Sequence, residues 1–278
     1  MTLHEGLDMP LGRWTLWMHA QGLSERTIGE RIGTIRGLLE YAHTGPLELA
    51  PEDIQTFLAR SLSPATRATY HASIRAFCAW MQRTRERDDN PADQTPRPRR
   101  PKSRPRPIAS TQLDALLAAA NRRRTRTYIL LAAFAGLRVH EIAKIHGRDI
   151  DPYTGVLTVT GKGGKTAQVP LHDELLAEAT HYPSDAYWFP AYSQNTKTPH
   201  VTSTAVSQAI SGAMTRAGFQ GKPHQLRHYY GTELVRAGVN LRIVQTLMRH
   251  ESPATTAIYT EVDIDQLRDG IAALRRAA

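Results

Sequence analysis

The chain is poor in cysteine: its 278 residues hold one, Cys78. A single thiol excludes an intramolecular disulfide framework and a cysteine-rich zinc site, and it fits a reducing compartment. Long apolar runs are missing as well. The longest, Tyr128 to Leu137, has about half of the ~20 residues that a bilayer-spanning helix needs. The opening MTLHEGLDMP has neither the basic region nor the apolar stretch of a secretory signal, so a cytoplasmic location is expected. Lysine is scarce, with 6 against 29 arginines. Acids are outnumbered too, 26 against 35 basic residues, which leaves a formal net charge of +9. That balance favours a polyanionic partner, nucleic acid first, and the arginine fork matches phosphate geometry better than a lysine point charge does. Apolar residues still make up 41%, enough for globular cores, so wholesale disorder is excluded.

The length fits two domains, and composition suggests where they part. Residues 1–95 read as a small helical bundle. Ser24 stands before Ile28, Ile32, Ile35 and Leu39, a helical stripe behind an N-cap. Ser63-Pro64, a cap with a first-turn proline, precedes Tyr70, Ile74, Phe77 and Met81. Shorter helices are expected over Leu11 to Met18 and from Pro51 to Arg60. Arg26, Arg67, Arg75, Arg83, Arg85 and Arg87 are scattered over these helices as charges on solvated faces. Residues 96–107, PRPRRPKSRPRP, hold six basic side chains, five prolines and no acid. Proline favours extended backbone and denies donors, so this segment is a linker. Arg97, Arg99, Arg100, Lys102, Arg104 and Arg106 make it a cationic strap for phosphates.

Residues 108–278 read as mainly α with a little β. Ser110 can cap a helix through Ala120, and Tyr128 to Ala135 forms a buried helix ending at Gly136. Val156–Thr160 and Thr166–Val169 flank a glycine-rich turn as a β-hairpin. Helical patterns follow at 202–216, 224–237, 240–249 and 253–260. A last helix over 263–276 carries Ile264, Leu267, Ile271 and Leu274 on one stripe.

Two motifs mislead. Gly164-Lys165-Thr166 ends like a phosphate loop, but Val159 stands where that loop needs glycine, and a strand follows where it needs a helix. His224 and His228 share a helix face as a zinc pair would, but Gln225 cannot supply the base of a metalloprotease, and Arg227 repels a cation.

The chemistry lies in an ordered set: Gly136-Leu137-Arg138-Val139-His140-Glu141-Ile142, Lys162 in the hairpin turn, His224-Gln225-Leu226-Arg227-His228, Met248-Arg249-His250 and Thr255-Thr256-Ala257-Ile258-Tyr259. Arg138 lies 24 residues before Lys162, Arg227 lies 23 before His250, and His250 lies 9 before Tyr259. The pattern Arg…His-x-x-Arg…His…Tyr resembles the tyrosine recombinase family of phage integrases and Xer-type resolvases, and the resemblance spans the whole chain. Arg249 stands where glycine is usual in that family and is expected only to add charge near DNA. Tyr229-Tyr230 is expected to affect packing only. The large integrases' arm-binding domain is not expected before residue 1.

Cutting a phosphodiester needs a nucleophile, charge stabilisation and a leaving-group acid. A Tyr259 phenolate attacking phosphorus conserves the bond energy in a phosphotyrosyl ester, and the forks of Arg138 and Arg227 suit the non-bridging oxygens. The resemblance implies that no metal or other cofactor takes part. It implies that His250 bonds a non-bridging oxygen, that His224 helps deprotonate Tyr259, and that Lys162 protonates the departing 5′-oxygen. Glu141 is expected behind these, holding the cations together. The implied fold is a helical N-terminal core-binding bundle (1–95), the linker (96–107) and an α+β catalytic domain (108–278), closing as a clamp on double-stranded DNA. The implied activity is site-specific recombination through a 3′-phosphotyrosyl intermediate and a Holliday junction, in the cytoplasm or nucleoid of the host. Four protomers would assemble on two core sites, coupled through 263–278, with a possible accessory bending or directionality factor. Phage or mobile-element integration is the expected role. The rivals are a catalytically silent DNA-binding protein and a type IB topoisomerase.

Overall fold

A computed structural model of the chain describes residues 10–99, 106–161, 164, 166–192 and 198–249. The chain divides into two compact units, Met1–Ser103 and Arg104–Ala278. None of the helices among the described residues is long and apolar enough to cross a membrane.

In the first unit the described helices are α1 (Pro10–Ala20), α2 (Glu25–Ala42), α3 (Pro51–Ala59) and α4 (Pro64–Arg83), followed by a 3-10 turn at Pro91–Gln94. Their starts follow the local chemistry. The Ser24 hydroxyl accepts the Thr27 N–H at 3.3 Å, and Ser63 accepts the Thr66 N–H at 3.1 Å. Each satisfies a donor that the first helical turn leaves open. Ile28 and Ile35 of α2 are buried with Ile74, Phe77 and Met81 of α4, while Ile32, Leu39 and Tyr70 pack at the margin. The Trp14 ring on α1 meets Phe77 at 4.9 Å between centroids. Two of the scattered arginines are not solvated charges. Arg67 donates through Nε to the Leu58 carbonyl at 2.8 Å. Arg87 donates to the Leu49 carbonyl at 2.8 Å and pairs with Asp89. One ties a carbonyl in the last turn of α3 and the other a carbonyl in the loop before it, both of which would otherwise lack donors. Cys78 is buried, and burial pushes its thiol up to about 12, so it is an inert packing group.

The second unit begins with α5 (Ser110–Ala118). Its N-cap is Ala109 rather than Ser110, because the Gln112 side chain accepts the Ala109 N–H at 2.9 Å and moves the start back by one residue. The central helix α6 (Arg123–Phe134) is buried from Tyr128 to Ala133. It leads to the one-turn helix α7 (Val139–Ile142). Strands β1 (Ile150–Asp151), β2 (Val156–Thr160) and β3 (Thr166–Pro170) form an antiparallel sheet in that order. Leu157 pairs with Val169 and Val159 with Ala167. Leu157, Val159 and Val169 enter the core, so one face of the hairpin is dry, as its alternation requires. Helices α8 (Asp173–Ala179), α9 (Ser203–Arg216), α10 (His224–Arg236) and α11 (Leu241–Leu247) complete the described part. Helices α8, α9 and α10 all pack against α6. Strand β1 and helix α8 are not evident in the sequence. The strand is too short to show alternation, and α8 is capped by His172, whose Nδ1 accepts the Glu174 N–H, a cap outside the usual Ser, Thr, Asp and Asn set. The helices expected at 253–260 and 263–276 lie outside the described residues.

Helix α6 ends as its glycine requires. Gly136 takes φ +58°, and the Leu137 N–H returns to the Leu131 carbonyl at 3.2 Å, closing the last turn and sending the chain toward Arg138. A β-carbon at Gly136 would lie 2.5 Å from Cδ1 of the buried Tyr230 ring. Gly136→Ala therefore combines left-handed strain with overpacking and should cost about 2–4 kcal/mol. Urea unfolding should show a lower midpoint at unchanged slope, and an unchanged midpoint would contradict this packing.

Candidate active site

The site is built where three chain segments meet: the turn after α6, the start of α10 and the residues after α11. Arg138 is the N-cap of α7, in extended backbone. The Glu141 carboxylate, 2% exposed, accepts the Arg138 N–H at 2.8 Å through Oε2 and the Arg138 guanidinium at 2.9 Å through Oε1. Arg249 donates to the same Oε2 at 3.0 Å. Burial pushes the Glu141 carboxyl up, but Arg249, the Arg138 amide and the Arg138 and Arg227 guanidinium groups outweigh it and hold the group below the usual carboxylate range. Glu141 is thus an ionised, buried carboxylate at the centre of a cationic cluster.

Arg227, on the first turns of α10, is 1% exposed. It donates through Nη1 to the Gly136 carbonyl and through Nη2 to the Met248 carbonyl. One guanidinium thereby joins all three segments, across 91 residues of sequence to Gly136. Arg138 keeps 37% of its side chain exposed, so it is the more accessible fork. It lines a cleft of about 300 Å³ together with His140, Lys222 and His224. The Gln225 carboxamide orders the entry to α10 by accepting the Lys222 N–H at 2.8 Å and donating to the Arg106 carbonyl at 3.0 Å.

His224 and His228 meet edge to face one turn apart, with ring centroids 4.4 Å apart and planes at 71°. Burial, Arg227 and Arg138 all lower the pKa of His224. Burial, then His224 and Arg227, bring His228 down to about 4. Both rings are neutral near pH 7, and a neutral imidazole can accept a proton. Among the described residues, no group of three or more His, Cys, Asp or Glu side chains is arranged to hold a metal ion; the histidine pair gains no third ligand there.

Arg138, Glu141, His224 and Arg227 are therefore brought together. Lys162, His250 and Tyr259 lie outside the described residues, as do Arg100, Lys102 and Arg104, whereas Arg97, Arg99 and Arg106 are exposed. Arg249 differs from its expectation. Its side chain is 10% exposed and paired with Glu141, so it is part of the buried cluster and not a free charge toward DNA. Tyr229 joins the main core, and Tyr230 packs with Val244 and Met248. Lys222 at the cleft was not singled out from sequence; its place two residues before His224 was the available signal.

Residues 106–265 match the phage integrase family. The tyrosine recombinase XerD of Yersinia pestis is 28% identical, over 91% of this chain and 92% of that protein. The solved integrase of mycobacterium phage Brujita is 41% identical, covering 96% of this chain and 94% of that one, with a TM-score of 0.52. A lambda integrase tetramer bound to a Holliday junction shares the fold, with a TM-score of 0.73 at 20% identity, covering 95% of this chain and 80% of that one. With more than half of its length matched to the family, and an arginine-rich site of this construction, the chain belongs to the phage integrase family of tyrosine recombinases.

Proposed function

We propose that this chain is a site-specific DNA recombinase that cuts and rejoins duplex DNA without a metal ion. The observation that carries the reading is the convergence of Arg138 and His224 on one cleft, from segments far apart in sequence, with Arg227 buried behind them and a single buried carboxylate paired to Arg138. Such a cluster suits a phosphodiester, whose charge grows on the non-bridging oxygens during displacement. Arg138 reaches those oxygens with a planar fork, and Arg227 holds the floor of the site and adds its field.

In the reaction, the Tyr259 oxygen attacks phosphorus as His224, neutral at working pH, takes the phenolic proton. His250 bonds a non-bridging oxygen. The bond to the 5′-oxygen breaks as Lys162 protonates it, leaving a 3′-phosphotyrosyl ester and a free 5′-hydroxyl. The ester keeps the energy of the broken bond, so attack by a 5′-hydroxyl of the partner duplex reverses the step with no added fuel. Two such exchanges pass through a Holliday junction. DNA and other copies of the chain are the partners. The lambda tetramer supports an assembly of four. The apolar stripe of 263–278 is assigned the coupling, and Arg97, Arg99, Arg100, Lys102, Arg104 and Arg106 a strap on phosphates. An accessory bending or directionality factor completes the assembly, and integration of a phage or mobile element is the role assigned.

The test is covalent trapping. Duplex fragments flanking the gene, nicked so that the cleaved end diffuses away, are incubated with the chain in chelator and run on a denaturing gel. The wild type should give a shifted covalent band and Tyr259→Phe none. Specific binding without a band would instead support the catalytically silent DNA-binder. The rate should also report His224. Because its pKa is lowered from 6.5, cleavage should hold as pH falls to that value and decline only below it, as the imidazole takes up its proton. A decline centred above 6.5, or one that survives in His224→Gln, would remove His224 from this role. Binding should weaken steeply with salt, by roughly one released counterion per neutralised phosphate. Deleting 263–278 should leave binding intact and abolish recombination; recombination at the full rate would show that coupling lies elsewhere.

A further inference from the structure

Arg249 is buried at the centre of the site although nothing in the reaction so far calls on it. Its four Nη hydrogen bonds are all internal: Nη1 to the Ala135 carbonyl at 3.5 Å and the Leu247 carbonyl at 3.2 Å, and Nη2 to the Gly136 carbonyl at 3.0 Å and Glu141 Oε2 at 3.0 Å. Its Nε is buried and has no hydrogen-bond partner among the described residues. The guanidinium therefore faces the protein and not a phosphate. Its backbone sits at φ +51°, a left-handed conformation that favours glycine, so the side chain is held here against a local preference.

We propose that Arg249 is a positioning residue for Arg138, acting through Glu141; the inference rests on the recombinase reading above. The carboxylate has two oxygens and two guanidinium partners. Arg249 takes Oε2, which also receives the Arg138 amide, and this fixes the plane of the carboxylate. Oε1 is then aimed at the Arg138 guanidinium, whose remaining donors are set toward the cleft. Arg249 also shares the Gly136 carbonyl with Arg227. The turn that carries Arg138 is thereby tied to the segment immediately before His250. Without Arg249, Glu141 is free to turn toward Arg138 alone, and the fork loses its fixed direction. Burial lowers the pKa of Arg249, and Glu141 opposes that shift, consistent with an ion pair made inside the protein.

The experiment uses the full chain and the nicked duplex on which the wild type forms its covalent band, with single-turnover cleavage measured at saturating protein. Arg249→Gly suits the backbone, so its effect reports the side chain. We expect the cleavage rate to fall about ten- to hundredfold, the loss that slight misplacement of a reacting group brings, while half-saturation for DNA stays unchanged. Arg249→Lys keeps the charge without the fork and should recover part of the rate. In Arg249→Gly/Glu141→Gln the rate should fall no further than in Glu141→Gln alone, since two residues acting through one contact are not additive. A wild-type rate in Arg249→Gly, a loss confined to DNA affinity, or multiplying effects in the double variant would each overturn the proposal. If Arg249→Gly shows no melting transition, Arg249→Lys decides: a slower rate supports the proposal and a wild-type rate overturns it. No covalent band from the wild type would overturn the recombinase reading and this inference with it, whereas a band from both wild type and variant at one rate overturns the inference alone.

Discussion

A single carboxylate organises the second unit's charge cluster. Glu141 is buried beside the enclosed Arg227 and Arg249 and the half-exposed Arg138, cations that would repel one another without it. Burying any one of them alone would be costly, and removing a partner from a buried pair costs about 3–5 kcal/mol. With Glu141 ionised, the cluster carries two net positive charges (three guanidinium groups against one carboxylate). In the proposed reaction, that residual charge is what a phosphodiester would meet. The diester brings one negative charge and gains a second as the nucleophile adds, so the field is set before the substrate arrives and need not reorganise during the reaction.

The fold serves this cluster through main-chain carbonyls. Helix α6 must stop within one residue of Ala135, because the Gly136 carbonyl is the acceptor shared by Arg227 and Arg249. A glycine at φ +58° makes that stop, and the Tyr230 ring fills the space a β-carbon would need. Tyr230 belongs to α10, the helix that carries His224 and Arg227. Packing and polar contacts therefore fix the same two elements against each other, and the apolar cluster of Tyr230, Val244 and Met248 sets α11 and its trailing Arg249 in place. The geometry of the arginine cluster is a by-product of how three helix ends are closed.

Much of this was legible in the sequence, for reasons that differ by element. Helices α2 and α4 announce themselves by serine caps and a 3.6-residue stripe, both local properties. The β2–β3 hairpin shows in its alternation. Arg138, His224 and Arg227 stand out through the resemblance of their ordered spacing to a known family, and the structure brings these three together. What was not legible depends on partners distant in the chain. Arg67 and Arg87 look like surface charges until Leu58 and Leu49 present their carbonyls. Arg249 looks like one more positive charge until Glu141, 108 residues earlier, lies at 3.0 Å. Helix α8 and strand β1 are short and depend on a histidine cap and an edge pairing that no local pattern encodes.

The neutral histidines follow from burial first, and then from the same electrostatics. A cationic cluster strong enough to hold Glu141 ionised against burial also disfavours protonation of any imidazole beside it. His224 feels Arg227 and Arg138, and His228 feels His224 and Arg227 after burial. In the proposed reaction, the arginines assigned to the phosphate thus also help burial to keep a proton acceptor empty next to it. Under that proposal, charge stabilisation and base catalysis are not two separate demands on this site. One arrangement of fixed cations meets both, provided the single carboxylate keeps those cations from repelling one another out of place.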